Sequence, residues 1–100
     1  MMRYFLFFLS LAILMWACSN APQNSGIVNG KSIFMSKCIT CHGADGRMGL
    51  NGAVALPDSD LTLSQRMTVV EKGRKIMPAF NAILSQEEIE AVSKYTLTLK

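Results

Sequence analysis

Cys38-Ile39-Thr40-Cys41-His42-Gly43 is the stretch on which the rest of the chain depends. Two thiols at i and i+3, with a histidine directly after the second, have the spacing of covalent haem attachment. The chemistry accounts for that spacing. Thiols three residues apart reach the two vinyl groups on one edge of a porphyrin and add to them as thioethers. His42 is then held beneath the ring with a nitrogen on the iron. Competing uses of the same residues fare worse. A redox CxxC belongs with a βαβ pattern, which this sequence lacks. A tetrahedral zinc site needs more ligands than Cys38, Cys41 and His42, and His42 is the single histidine of the chain. A disulfide between residues so close together would staple little. The reading is one haem c on Cys38 and Cys41, with His42 on the iron.

Upstream, the chain opens as an export signal. Arg3 supplies a positive charge, and Tyr4 to Trp16 is then apolar except for Ser10, a run of thirteen residues. That is short for a membrane span, which takes about 20 residues. Ala17 followed by Cys18 fits a lipoprotein cleavage site, although Met15 and Trp16 are looser than the usual residues there. An ordinary signal with an incidental cysteine, or an uncleaved anchor, is the competing reading. The three cysteines favour the lipoprotein. With lipid on Cys18 and haem on Cys38 and Cys41, no thiol is left over. The expected organisation is therefore an export signal over 1–17, a polar linker carrying lipid at Cys18 over 18–26, and one folded domain over 27–100. As a flexible chain, the linker spans roughly 16 Å on average. Two acyl chains on a diacylglycerol, with a third amide-linked, suffice for stable anchoring on the periplasmic side, with no choice made between inner and outer membrane.

Charge excludes more than it suggests. Without Arg3, nine Lys and Arg stand against seven Asp and Glu, a net +2 that gives no reason to expect nucleic acid. Downstream, apolar spacing predicts three helices and no persistent strand alternation, hence an all-α domain. The first covers about Val28 to Lys37, with Gly30, Ile33, Phe34 and Cys38 on one face. Lys37 falls in the same arc and blurs it, by a buried stem or an irregular last turn. Gly43 to Leu61 holds four Gly, one Pro and three Asp, and wrapping a prosthetic group gives so long an irregular stretch its reason. The second helix runs from about Ser64 to Lys72 and stops at Gly73. The third starts at a capping box, Ser85 with Glu88, and buries Ile89, Val92, Tyr95 or Thr96, and Leu99.

A haem iron has a sixth position, and Met77 is the preferred candidate. It follows His42 by 35 residues, enough chain to pass round the ring, and Pro78 stiffens the backbone beside it. Met48 is too near His42, while Met35 and Met67 lie in helices, where a methionine is more often core filler. Core filler is the competing reading for Met77 as well.

From Gly30 to Lys100 the domain resembles class I cytochrome c, especially short bacterial mono-haem domains that serve as free carriers or oxidase subunits. GKSIF before CITCHG, GRKIMPAF and LSQEEIEAVSKYTLTL carry the resemblance. It implies the cytochrome c fold, three main helices and long loops around one covalent haem. The first and last helices should cross through a glycine and an aromatic pair, here Gly30, Phe34 and Tyr95. Pro57 would offer its carbonyl to the second nitrogen of His42, and Leu56 would face the haem.

Six-coordinate His/Met iron favours single-electron transfer over catalysis, so the chain is not expected to be an enzyme. The leading expectation is a membrane-tethered carrier between a donor and an acceptor redox protein of a respiratory chain. The alternative is a haem-bearing accessory subunit of an oxidase, reductase or dehydrogenase. A catalytic or gas-sensing haem protein needs an open sixth site and depends on Met77. Lys37, Lys72, Arg74 and Lys75 form either a positive ring that steers an acidic partner or a scatter of solvated charges.

Overall fold

Asn29 starts the first helix by lending its side-chain oxygen to the amide of Ser32, 3.1 Å away. The helix therefore begins at Gly30, two residues after the expected Val28, and α1 is Gly30–Lys37. The structure, a computed structural model, describes residues 26–100 and, of the first 25, Tyr4 alone. The export signal apart from Tyr4, the lipid-site Cys18 and the linker apart from Gly26 lie outside the described residues.

Cys38 ends α1, and a single turn, α2 (Ile39–His42), follows. Gly43 then adopts φ 75°, a conformation open to glycine at little cost, and its amide returns to the Ile39 carbonyl at 2.8 Å. Residues 43–62 are irregular apart from two short 3₁₀ turns, Leu50–Gly52 and Leu56–Asp58. α3 is Leu63–Lys72, one residue earlier than the sequence reading. The reason is a reciprocal cap: the Gln65 amide reaches Thr62 Oγ1 at 3.3 Å, and the Thr62 amide reaches Gln65 Oε1 at 2.9 Å. Gly73 ends α3 as expected, its amide on the Val69 carbonyl at 2.8 Å. α4 is Gln86–Thr96 and begins with the expected box, Ser85 with Glu88. Among the described residues there is no strand, only an isolated antiparallel bridge between Arg74 and Met77. The expected fold class holds: all-α, three main helices with the one-turn α2, and long loops.

α1 and α4 cross in close contact, and α3 packs on α4. A Cβ at Gly30 would lie 2.0 Å from the Ala91 carbonyl oxygen, so only glycine permits this approach. One helical turn on, the Phe34 and Tyr95 rings meet with centroids 5.3 Å apart and planes tilted by 54°. The crossing is the one the sequence resemblance implied. Phe34 and Ile89 are wholly buried and Val92 nearly so, and Leu84, from the loop before α4, completes the buried apolar set. Each contributes about 1.5–3 kcal/mol through burial. Cys38, Ile39, Leu56, Met67, Phe80 and Leu99 pack partly buried around them. Lys37, in the apolar arc of α1, is exposed.

Candidate haem-attachment site

The end of α1 and the turn of α2 bring three of the expected residues together. The Cys41 and His42 amides both point to the Cys38 carbonyl, at 3.3 and 3.0 Å. Cys38 and Cys41 are therefore one helical turn apart with both thiols free, and His42 closes that turn. The loop beyond is tied back to it, with the Met48 amide on the His42 carbonyl at 2.8 Å. Burial raises the Cys38 thiol pKa to about 11. A protonated thiol packed on the apolar core is what this position presents before any thioether forms.

His42 is half-buried. Burial pushes its imidazole below the usual histidine pKa, and the main chain at Val54 offsets part of that. An effect of that sign comes from an acceptor, so the Val54 carbonyl is the group beside the ring. The contact falls short of a full hydrogen bond, and Nδ1 is buried with no partner. A half-buried imidazole biased toward its neutral form is suited to a metal bond, since a ligating nitrogen must be free of its proton. Among the described residues no hydrogen bond joins Pro57 to His42. Pro57 instead sits in the 3₁₀ turn Leu56–Asp58, with its ring against Gly46. Leu56 is half-buried against the core, its amide on the Gly46 carbonyl at 2.9 Å.

Met77 comes from a separate element. Arg74 and Met77 exchange both main-chain hydrogen bonds, at 3.2 and 3.0 Å, across a tight turn whose Lys75 has φ 55°. Gly73 lets this turn fold back on the end of α3, since a Cβ there would meet the Met77 carbonyl oxygen at 2.5 Å. The Phe80 amide then bonds the Val70 carbonyl at 2.9 Å. The methionine loop is thus held against α3, while the CITCH turn is held against α1 and the Leu50–Gly52 turn. Both reach the same core through Cys38, Leu56 and Phe80. Lys37, Lys72, Arg74 and Lys75 are all exposed, and among the described residues none of them is in an ion pair.

The residues present fit a covalent haem. Two free thiols stand one turn apart, a buried imidazole nitrogen lacks a partner, and the surrounding loops expose Met48, Leu50, Val54 and Ile76. Sequence reasoning missed one residue in this region. Arg66 on α3 is a buried cation that donates to carbonyls of the loop carrying Leu56. No helix among the described residues is long and apolar enough to cross a membrane.

Known proteins fit the same picture. The family described as "Cytochrome C oxidase, cbb3-type, subunit III" matches residues 26–95. A cytochrome c6 of Microcystis aeruginosa is 40% identical over 75 residues, spanning 69% of this chain and 91% of its own. A cytochrome c6 of a Nostoc species is 32% identical over 95 residues, covering 89% of this chain and 85% of its own. Among solved structures, the KustC0563 c-type cytochrome superposes with a TM-score of 0.65 at 25% identity, covering 73% of this chain and 99% of its own.

Proposed function

Because the chain belongs to the c-type cytochromes, in the family described as cytochrome c oxidase, cbb3-type, subunit III, and carries one covalent haem c for electron transfer, we propose that Cys38 and Cys41 hold the haem and that His42 and Met77 are its axial ligands. The observation that carries this reading is the stretch from Cys38 through the α2 turn, where both thiols and a half-buried imidazole with a buried, unpartnered nitrogen sit within five residues. When bound, the haem supplies a one-electron Fe(III)/Fe(II) couple. The chain's own residues do the rest. Cys38 and Cys41 fix the ring to the end of α1, which keeps His42 in place without a separate association cost. With the haem in place, a carbonyl of the Val54–Pro57 main chain would accept from the second imidazole nitrogen and so strengthen the ligand. Leu56 and Phe80 present apolar surface to the porphyrin. Met77, held by the Arg74 turn, would be the second protein ligand to the iron, and its thioether would favour a higher potential. With His42 and Met77 both on the iron, the chain would shuttle electrons rather than catalyse a reaction of its own.

Around that site we place a carrier exported to the periplasmic side and tethered by lipid on Cys18, passing electrons between two redox proteins. Lys37, Lys72, Arg74 and Lys75 steer an acidic partner in this reading, so its association rate falls steeply with added salt. A second reading, an accessory subunit within an oxidase complex, is favoured by the family description. The experiment is to purify the native protein from membranes under mild detergent, map its haem-bearing peptide by mass and identify what accompanies it. Haem on the Cys38–Cys41 peptide, lipid on Cys18 and no stoichiometric partner support the tethered carrier. A stable oxidase complex supports the subunit, and haem on neither cysteine refutes both.

A further inference from the structure

Arg66 is 7% exposed in a domain whose other charged side chains lie at or near the surface. A guanidinium has five N–H donors in a fixed fork and no acceptor. Here all five are used. Nε donates to the Leu61 carbonyl at 3.0 Å. Nη1 donates to the Thr96 carbonyl at 3.4 Å and to Thr96 Oγ1 at 3.1 Å. Nη2 donates to the carbonyls of Leu56 at 3.4 Å and Ser59 at 2.8 Å. Every acceptor is neutral, and no carboxylate faces the charge. A buried cation that only needed neutralising would be paired with an acid. This one is spent instead on three carbonyls of a single loop segment, Leu56–Leu61, and on the C-terminal end of α4.

That segment leads directly to His42. The Leu56 amide bonds the Gly46 carbonyl at 2.9 Å, and the Gly46 amide bonds the Gly43 carbonyl at 3.1 Å, next to the histidine. Val54, whose main chain lies beside the imidazole, is two residues before Leu56. We propose that Arg66 is a positioning residue for the axial histidine: it clamps the Leu56–Leu61 segment between α3 and α4 and so sets the main-chain acceptor against the His42 ring. This rests on His42 being the iron ligand. A side chain that merely stabilised the fold would affect melting; a positioning residue also alters how the main chain meets the imidazole of the haem-loaded protein, and through it the iron.

Lysine keeps the charge of Arg66 but offers three donors on a point ammonium in place of the planar five. The experiment uses the haem-loaded full chain as wild type, Arg66→Lys, Arg66→Met, Thr96→Val and, as a control from the α1–α4 crossing, Val92→Ala. Two quantities are read well below the melting temperature: solvent exchange of the hyperfine-shifted His42 ring N–H by proton NMR, and the reduction potential. Exchange should accelerate by about tenfold or more in Arg66→Lys, since a hydrogen bond to a charged group no longer opposes local opening. The potential should rise in the same variant as the imidazole becomes a weaker donor. Thr96→Val removes one acceptor and leaves Arg66 in place; it should move exchange in the same direction by less, and it decides the matter if the Arg66 variants do not accumulate. Val92→Ala should lower stability and leave both readouts unchanged. Wild-type exchange and potential in Arg66→Lys, or in Thr96→Val where Arg66→Lys cannot be made, would overturn the inference and leave the ligand intact. A wild-type spectrum with no such ring resonance would overturn the ligand assignment, and the inference with it.

Discussion

Phe34 and Ile89, where α1 crosses α4, are wholly buried, whereas Met48, Val54 and Ile76, in the two loops, stand 60%, 49% and 70% exposed. The two regions are held in different ways. At the crossing, side chains interlock: glycine admits the opposing backbone at residue 30, and an aromatic pair fills the next turn. In the loops, the backbone is shaped by other means. Positive φ at Gly43, Gly46, Gly49, Gly52 and Gly73, main-chain hydrogen bonds across the turns, and the Arg66 fork do the shaping. The crossing is a packing unit in its own right. The loops are a mould whose apolar side chains match a flat apolar group. The covalent haem therefore completes the fold as well as the chemistry.

The largest expected effect tests that division. Replacing both thiols, Cys38→Ala with Cys41→Ala, removes the covalent haem, and the circular dichroism of the product should show a largely unfolded chain. A haem-free domain that still melts cooperatively would show that the crossing suffices alone. Next in size are changes at the crossing. Phe34→Ala should cost about 3–5 kcal/mol, read as a lower urea midpoint of the haem-loaded protein. Gly30→Ala should cost at least about 1–3 kcal/mol by overpacking against Ala91. Neither should change the axial ligands at temperatures where the protein stays folded.

Acid probes the mould. The folded pKa of His42 lies below its unfolded value, about 6.5, so its neutral form is favoured in the native state. Its contribution to stability is fully present above that pH and is lost as pH falls through the lower folded value. An iron bond acts in the same direction, because metal and proton compete for the imidazole. Melting temperature should be flat from neutral pH down to about 6.5 and decline below it, while the haem absorption spectrum of the native protein changes only as pH falls through the lower folded value. The smallest effect belongs to Ser93, wholly buried in α4 with its hydroxyl unpartnered. Ser93→Ala should be neutral or stabilising by about 1 kcal/mol, because it removes an unsatisfied polar atom.

The crossing was far more legible in the sequence than the mould. Gly30, Phe34 and Tyr95 lie at the spacing of one helix face or one matched position, and Ser85 with Glu88 announces a helix start. Periodicity and capping are local signals, and they located α1 and α4 to within two residues. Arg66 was invisible to the same reasoning, because an arginine in an amphipathic helix reads as solvent-facing. Its burial is a tertiary fact, set by carbonyls that a distant loop turns toward it. Leu84 was missed for a related cause: it follows the exposed Ile83 in a turn, where no period separates inside from outside. The Thr62–Gln65 box was within reach, since Thr62-Leu63-Ser64-Gln65 has the required spacing. The apolar face of the helix, which begins later than its cap, does not mark that start. The carbonyl partner of His42 rested on resemblance alone, because no local signal in the sequence tells which main-chain group between Val54 and Pro57 meets the imidazole.

The central claim is that a ligand from each loop meets on one iron, His42 from the CITCH turn and Met77 from the turn after α3. Near-infrared magnetic circular dichroism of the ferric protein reads the axial pair directly. The wild type should show the weak long-wavelength band of methionine sulfur on low-spin iron, and Met77→Ala should abolish it while lowering the reduction potential. A wild-type spectrum without that band, or a Met77→Ala protein that keeps both the band and the potential, would contradict the account.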